Sequence, residues 1–261
     1  MFVGYVIPLK SSRVSEDWSA TSALLTGTLQ SLLNQSDERY KIVVVCHERP
    51  ILEEKLLSRI DIIECDFELH RKNHEGKISN YKQIDYILDK NRKLSQGLKH
   101  LSDLNASYYM VLDADDLIHT DLTKYILNTN HPNGYIIHKG YEYYAAFNTC
   151  IDRDDMDHLC GSTAIINQRQ IVIPEVVTDS TMSAFPWCFL SHSDFEGFYA
   201  DRNKPLLSIP FQSVMYKLGH GQNASDEFRH GIKTKIKTLL KILIRGKRLS
   251  AEQLQAFGIT V

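Results

Sequence analysis

A chain of 261 residues with 43% hydrophobic and 24% charged residues can bury a sizeable core as one large domain, or as one domain with an appendage. Its five cysteines are an odd number without Cys-x-x-Cys spacing, which argues against a zinc site or disulfide framework and for a reducing, cytoplasmic setting. The net charge of −2 conceals an asymmetry: residues 228–261 hold eight Lys/Arg against one acid, Glu252, a net +7 that leaves −9 for the first 227.

The opening residues lack the basic and long apolar stretches of a secretory leader, and nothing reaches transmembrane length. Phe2 to Leu9 predicts a first buried strand, stopped by Pro8 and a polar loop through Asp17. Leu24, Leu25, Thr28, Leu29, Leu32 and Leu33 then recur as the stripe of an amphipathic helix ending near Asn34-Gln35. Lys41 to Cys46 is a two-sided apolar strand, followed by a helix-like stretch from Ile51 to Ile60 and a short strand from Asp61 to Cys65. Residues 67–84, rich in Lys, Asn and His, read as a long exposed loop, with a lid as the functional alternative. Asp85 to Leu101 predicts a helix with Ile84, Leu88, Leu94, Leu98 and Leu101 inward.

Residues 108–116, Tyr-Tyr-Met-Val-Leu-Asp-Ala-Asp-Asp, organise the rest. Five apolar residues fit a strand buried on both faces of a parallel sheet. Its end delivers Asp113, Asp115 and Asp116 to the carboxyl edge, where open α/β folds place ligands. Crowded carboxylates repel one another unless a cation holds them. Mg2+ bound by one or two carboxylates plus a ligand's phosphates is one answer; solvated acids capping the next helix are the other. Beyond them, Thr120 to Leu127 suits a short helix and Gly134 to His138 a strand, and the Tyr-rich Gly140 to Phe147 alternates like a half-exposed β-ribbon. The acids Asp152 to Asp157 precede a Gly161 turn into a buried element at Ala164 to Ile166. His192 to Asp201 predicts a helix, and Leu206 to Tyr216 two short strands. This alternation predicts an α/β fold whose mostly parallel central sheet carries helices on both faces.

Four features in order resemble the GT-A-fold nucleotide-sugar glycosyltransferases, close to their family 2. They are the strand ending Ile7-Pro8; the helix through Ser31-Leu32-Leu33 and Gln35 with the strand Ile42 to Val45; the helix ending Gly97-Leu98; and Leu112-Asp113-Ala114-Asp115-Asp116, a DxD-type motif. The resemblance implies a single GT-A-type domain with a donor-binding half at 1–118, an acceptor-binding half at 119–227 and C-terminal amphipathic helices at 228–261. It implies a hexosyltransferase-type enzyme moving a sugar, with inversion, from a nucleoside-diphosphate sugar (a UDP-sugar by expectation) to a glycan or lipid-linked acceptor. Mn2+ or Mg2+ would be held by Asp113 and Asp115, with His220 of the His220-Gly221-x-Asn223 loop as a third ligand or a plain loop histidine. Pro8, Leu9, Glu48, Lys90, Lys93, Asp113 and Ala114 would line the donor site. Glu48 stands in for the acidic turn that usually follows the second strand. Lys90, Arg92 and Lys93 replace the usual Arg-Asn pair, and serve a diphosphate or merely solvate a helix face. The family's Glu-Asp base dipeptide is missing. Asp194, then Glu196, are the candidate bases, Asp194 equally suiting a helix N-cap. Asp154, Asp155 and Asp157 are further carboxylates that a solvated loop would also explain. A nucleotidyltransferase is the alternative enzyme, although Leu9 to Asp17 contains no Gly; a catalytically silent nucleotide-binding scaffold is the other alternative.

The tail carries an apolar stripe, Ile232, Ile236, Leu239, Leu240, Leu243 and Ile244, among Lys233, Lys235, Lys237, Lys241, Arg245, Lys247 and Arg248. Such a helix lies on an anionic membrane surface, here the inner face, or packs its stripe on the body or on a second subunit. Nucleic acid is not expected as a partner, because the body is acidic and aromatic-basic interleaving is absent.

Overall fold

The computed structural model describes residues 1–68, 83–218 and 232–259. The loop bearing His220, most of the segment expected as a loop at 67–84 and the first residues of the tail lie outside the described residues.

Strand β1 (Val3–Pro8) is buried from Val3 to Ile7 and serves two cores at once. Val3, Tyr5 and Ile7 meet Leu25, Leu29 and Leu32 of helix α1 (Trp18–Leu33) on one face. Val6 meets Leu94, Leu98 and Leu101 of α3 (Gln83–Asp103) on the other. This is the period-two alternation of a strand covered on both sides. Helix α1 starts where the Asp17 carboxylate accepts from the Ala20 N–H at 2.9 Å, satisfying one of its orphan donors. Strand β2 (Tyr40–Cys46) follows, then α2 (Glu54–Leu57) and β3 (Asp61–Glu64). The helix expected over Ile51 to Ile60 shrinks to that single turn: Leu56 alone is buried and Ile51 is 63% exposed, so no apolar face spans the segment. Ile84, expected inward, is likewise 62% exposed in the first turn of α3.

The remaining elements are β4 (Tyr108–Val111), β5 (Leu117–Ile118), α4 (Leu122–Thr129), β6 (Gly134–Ile136), β7 (Gly140–Tyr144), β8 (Thr149–Arg153) and β9 (Ala164–Asn167). After them come α5 (Phe195–Ala200), β10 (Leu207–Ser208), β11 (Val214–Leu218), α6 (Ile232–Arg245) and α7 (Ala251–Gln255). The main sheet has the order β10-β6-β9-β4-β1-β2-β3. Its neighbours are parallel except where β9 runs antiparallel to β4 and β6, so the sheet is mixed. Helices α1 and α4 cover one face, α3 and α5 the other. A second sheet, β5-β11-β7-β8, was not foreseen.

That second sheet corrects two expectations. Strand β7 is buried along its whole length rather than half-exposed, because the C-terminal segment covers both of its faces. Tyr141 and Tyr143 pack with Leu249, Leu254 and Phe257 on one side. Tyr144, with Ile151 and Leu218, packs with Ile242 of α6 on the other. Backbone bonds between Cys150 and Lys247, 2.9 Å in each direction, tie the crossing to the sheet edge. Ser250 caps α7 through a reciprocal bond pair with Gln253. The end of the tail is therefore part of the body.

Helix α3 approaches β1 and β2 closely at Gly97, where a Cβ would stand 2.5 Å from Val6 Cγ1 and 3.0 Å from Val45 Cγ2. Gly97→Ala is expected to overpack this contact and lower stability by about 1–3 kcal/mol, read in a urea titration.

Candidate active site

The sheet order places β1 between β2 and β4, so successive connections leave it in opposite directions and a crevice opens at the carboxyl ends of β1 and β4. The last sheet bond there runs from Leu112 N to Val6 O at 2.9 Å, and the next residues line a cleft of about 350 Å³. Pro8, Leu9 and Lys10 form one wall, with Thr21 and Leu24 of α1. Lys90 reaches in from α3; Asp113, Ala114 and Asp115 form the floor; Leu159, Cys160, Gly161, His192 and Tyr216 close the far side.

The three carboxylates are handled differently. Lys90 Nζ sits 2.5 Å from Asp113 Oδ1; burial alone would lower the lysine's pKa, but Asp113, with Asp115 and Asp116 beyond it, raises it. Asp116 turns inward and is 1% exposed. Its Oδ2 accepts from Ser162 Oγ at 2.6 Å and from Cys160 Sγ at 3.3 Å, while Oδ1 has no hydrogen-bond partner among the described residues. Burial, then the charges of Asp115 and Asp113, push its pKa well above the usual carboxylate range. Ser162 Oγ also accepts from the Asp113 N–H at 2.9 Å, so one hydroxyl holds the turn between the two acids. Gly161 stands where a Cβ would lie 3.1 Å from Asp113 Oδ2, which keeps the space beside that oxygen clear. Two carboxylates in an open cleft, with a third in the wall, form a hard oxygen donor set that fits Mg2+ or Mn2+. Asp113 and Asp115 would hold the ion.

Of the residues singled out in the sequence, Pro8, Leu9, Lys90, Asp113, Ala114 and Asp115 line this cleft. Glu48 does not: its carboxylate takes the Ser11 hydroxyl (2.8 and 3.0 Å) and the Ser12 N–H (3.0 Å), shaping the loop behind the wall. Lys93 is fully buried, its Nζ donating to Leu9 O at 2.8 Å and to Asp89 Oδ2 at 2.6 Å. It fixes the backbone of the cleft wall instead of facing the cleft. Arg92 turns away to Asp179. Asp194 is exposed at the start of α5, makes no capping bond and does not line the cleft. Glu196 is 52% exposed and meets His138 Nε2 at 3.3 Å. Asp157, expected to suit a solvated loop, is 5% exposed.

Lys10, Gly161, Ser162, His192 and Tyr216 were not singled out as site residues. Of the stretch Ser191-His192-Ser193-Asp194-Phe195-Glu196, which holds both candidate carboxylates, it is the histidine that reaches the cleft. His192 Nδ1 lies 2.5 Å from the Asp157 carbonyl. Since that oxygen only accepts, Nδ1 carries the proton and Nε2 the lone pair of the neutral ring.

No protein-family model and no curated protein matches the chain. Solved structures do. TarS 1–349 from S. aureus matches at 11% identity and a TM-score of 0.43, over 98% of this chain and 69% of its own. A Desulfovibrio desulfuricans G20 protein named as a nucleotide-diphospho-sugar transferase matches at 9% identity and TM-score 0.41, over 94% of this chain and 98% of its own. Rv0371c from Mycobacterium tuberculosis H37Rv matches at 7% and 0.36, over 84% and 90%. The fold rests on its own topology, a mixed central sheet with helices on both faces. At such identities and TM-scores, what the cleft does has to be read from its own residues.

Lys93→Met would leave the buried Asp89 with only His47, 2.7 Å from its Oδ1. A loss of about 3–5 kcal/mol is expected from breaking a buried ion pair on one side, measured by denaturant titration.

Proposed function

We propose that the cleft binds a nucleoside-diphosphate sugar, a UDP-sugar in the first instance, and transfers the sugar with inversion to a hydroxyl of a glycan or lipid-linked acceptor. The observation that carries this reading is the meeting of Asp113, Asp115 and Lys90 at the switch point of the sheet, in a cleft of about 350 Å³. A bound Mn2+ or Mg2+ would supply positive charge to the diphosphate as it leaves. Lys90 adds a fixed positive charge at the same place, and Leu9, pinned by Lys93, gives the opposite wall a rigid backbone. The base role falls to His192: its Nδ1–H is held by Asp157 O, which leaves Nε2 to take the acceptor's proton. On this reading the donor-binding half, 1–118, would supply Lys90 and the acids, and the acceptor-binding half, 119–227, His192 and Tyr216.

Isothermal titration of UDP with and without Mn2+ tests the reading. Wild-type protein should bind UDP more tightly with the metal, and Asp115→Asn should remove that difference while staying folded. His192→Asn should bind UDP normally and turn over about 10²-fold more slowly in a nucleotide-sugar transfer assay. Unchanged metal dependence in Asp115→Asn would return the acids to a structural role.

The tail supports a place for this chemistry. Leu239, Leu240, Leu243 and Ile244 of α6 are 45%, 51%, 79% and 80% exposed, beside the exposed Lys237, Arg245 and Arg248. We infer that this face docks on anionic lipid, at the inner face of a membrane, where apolar burial and basic charge act together. No helix among the described residues is long and apolar enough to cross a membrane. The wild-type chain should co-sediment with anionic vesicles and be released by salt, because the attraction is screened over about 8–10 Å at physiological ionic strength. Leu243→Glu with Ile244→Glu should abolish co-sedimentation without changing thermal stability. Wild-type protein that ignores anionic vesicles would rule the docking out.

A further inference from the structure

Outside the cleft, three side chains from distant parts of the chain converge. His138 follows β6, Asp157 lies in a helical turn at Met156–His158, and Glu196 stands in the first turn of α5. One ligating atom from each lies within 4.8 Å of the other two. The turn is anchored by the fully buried Met156, whose N–H donates to His138 O at 2.9 Å, so Asp157 and His138 are held together through their backbones.

The cluster is more than an ion pair. His138 Nε2 and Glu196 Oε2, 3.3 Å apart, would satisfy each other, but that contact does nothing for Asp157. Asp157 is 5% exposed, and its Oδ1 is buried with no hydrogen-bond donor among the described residues. Its other oxygen meets His158 Nε2 at 3.5 Å. A buried carboxylate oxygen with no donor calls for a cation. The histidine is oriented for such a role: its Nδ1 meets Ser208 Oγ at 3.0 Å, which turns Nε2 toward the carboxylates. Metal-ligating histidines are typically held through the other ring nitrogen in this way.

We propose that His138, Asp157 and Glu196 form a second metal site, separate from the acids of the cleft, for a divalent transition-metal ion such as Zn2+. One imidazole and two carboxylates suit a borderline ion better than Mg2+ or Ca2+, which favour oxygen alone. The 3.3 Å separation of Nε2 and Oε2 matches the ligand–ligand edge of a tetrahedron with bonds of about 2.0–2.1 Å, leaving the fourth position to solvent. No cysteine is needed, so cysteine spacing gives no hint of it. The ion would clamp α5 and the segment after β6 onto the turn carrying Asp157. That site stands whatever the cleft transfers; its consequence for catalysis rests on the proposed function, because the same Asp157 carbonyl orients His192.

The test uses full-length Asp115→Asn protein, in which metal binding at the cleft is weakened, stripped with chelator and titrated with Co2+ while ligand-field absorption is followed. One equivalent is expected to bind with a tetrahedral-type spectrum. Glu196→Gln and His138→Asn, added separately and shown folded by circular dichroism, should each weaken binding about tenfold or more, and Ser208→Ala by about 10–100-fold. Because Glu196 is half exposed, its variant should fold even if others do not. Absence of a cobalt spectrum, or binding unaffected by Glu196→Gln and His138→Asn, would overturn the proposal and reduce the cluster to a His138–Glu196 ion pair. Neither result depends on any transfer assay, so the fate of the cleft reading is decided separately.

Discussion

Asp113, Asp115 and Asp116 leave the end of β4 within four residues of one another, and their mutual repulsion is met in two ways. Lys90 neutralises Asp113 from α3. Asp116 is folded into the wall, where burial and its neighbours' charge favour the neutral acid and Ser162 and Cys160 hold one oxygen. Asp115, half-buried, lines the cleft. The Gly161-Ser162 turn ahead of β9 is shaped by the same need, since Ser162 bonds both acids' residues and Gly161 leaves Asp113 Oδ2 uncovered. Burial of one acid and pairing of another let one strand end carry three acids without unfolding the sheet.

Helix α3 shows how one face of a helix divides labour. Lys90, Lys93 and Gly97 follow one another at spacings of three and four, and so share a face. Gly97 touches Val6 and Val45 of the sheet. One turn earlier, Lys93 is sealed between Asp89 and the Leu9 carbonyl. A further turn out, Lys90 emerges into the cleft. The gradient from packed glycine to buried and then cleft-facing lysine follows the helix as it passes from the sheet to its carboxyl edge. Two neighbouring lysines thereby acquire opposite roles.

The far side of the cleft depends on longer-range assembly. His192 is held by the backbone of Asp157, and Asp157 by a turn seated on His138. The second sheet brings in Tyr216 from β11. That sheet is in turn closed by the C-terminal segment, which crosses its edge at Lys247 and covers both faces of β7. In α6, Leu239, Leu240, Leu243 and Ile244 stay exposed. The positive tail thus combines a docked part, paired through Lys241 to Glu142 and through Lys247 to Asp152 at 2.6 Å, with an exposed face.

The sequence by itself determined the α/β layering, the strand that carries the acids, the stripe of α1 and the cleft positions Pro8, Leu9, Lys90, Asp113, Ala114 and Asp115. These are local matters: two-sided strands read as unbroken apolar runs, and a carboxylate at a strand end reaches the sheet edge whatever the rest of the chain does. Tertiary structure decided which lysine faced the cleft, because Lys90 and Lys93 are equally polar in sequence and differ only in what α3 packs against. It decided the burial of β7, because the covering residues lie more than a hundred positions later. It decided which of Asp194, Glu196 and His192 lines the cleft, because a single turn aims nearby side chains in different directions and His192 is the one that reaches it. Long-range pairing leaves no trace in periodicity or composition, so the wall formed after β1 and the floor after β4 could be read from the chain while the far side of the cleft had to be seen folded.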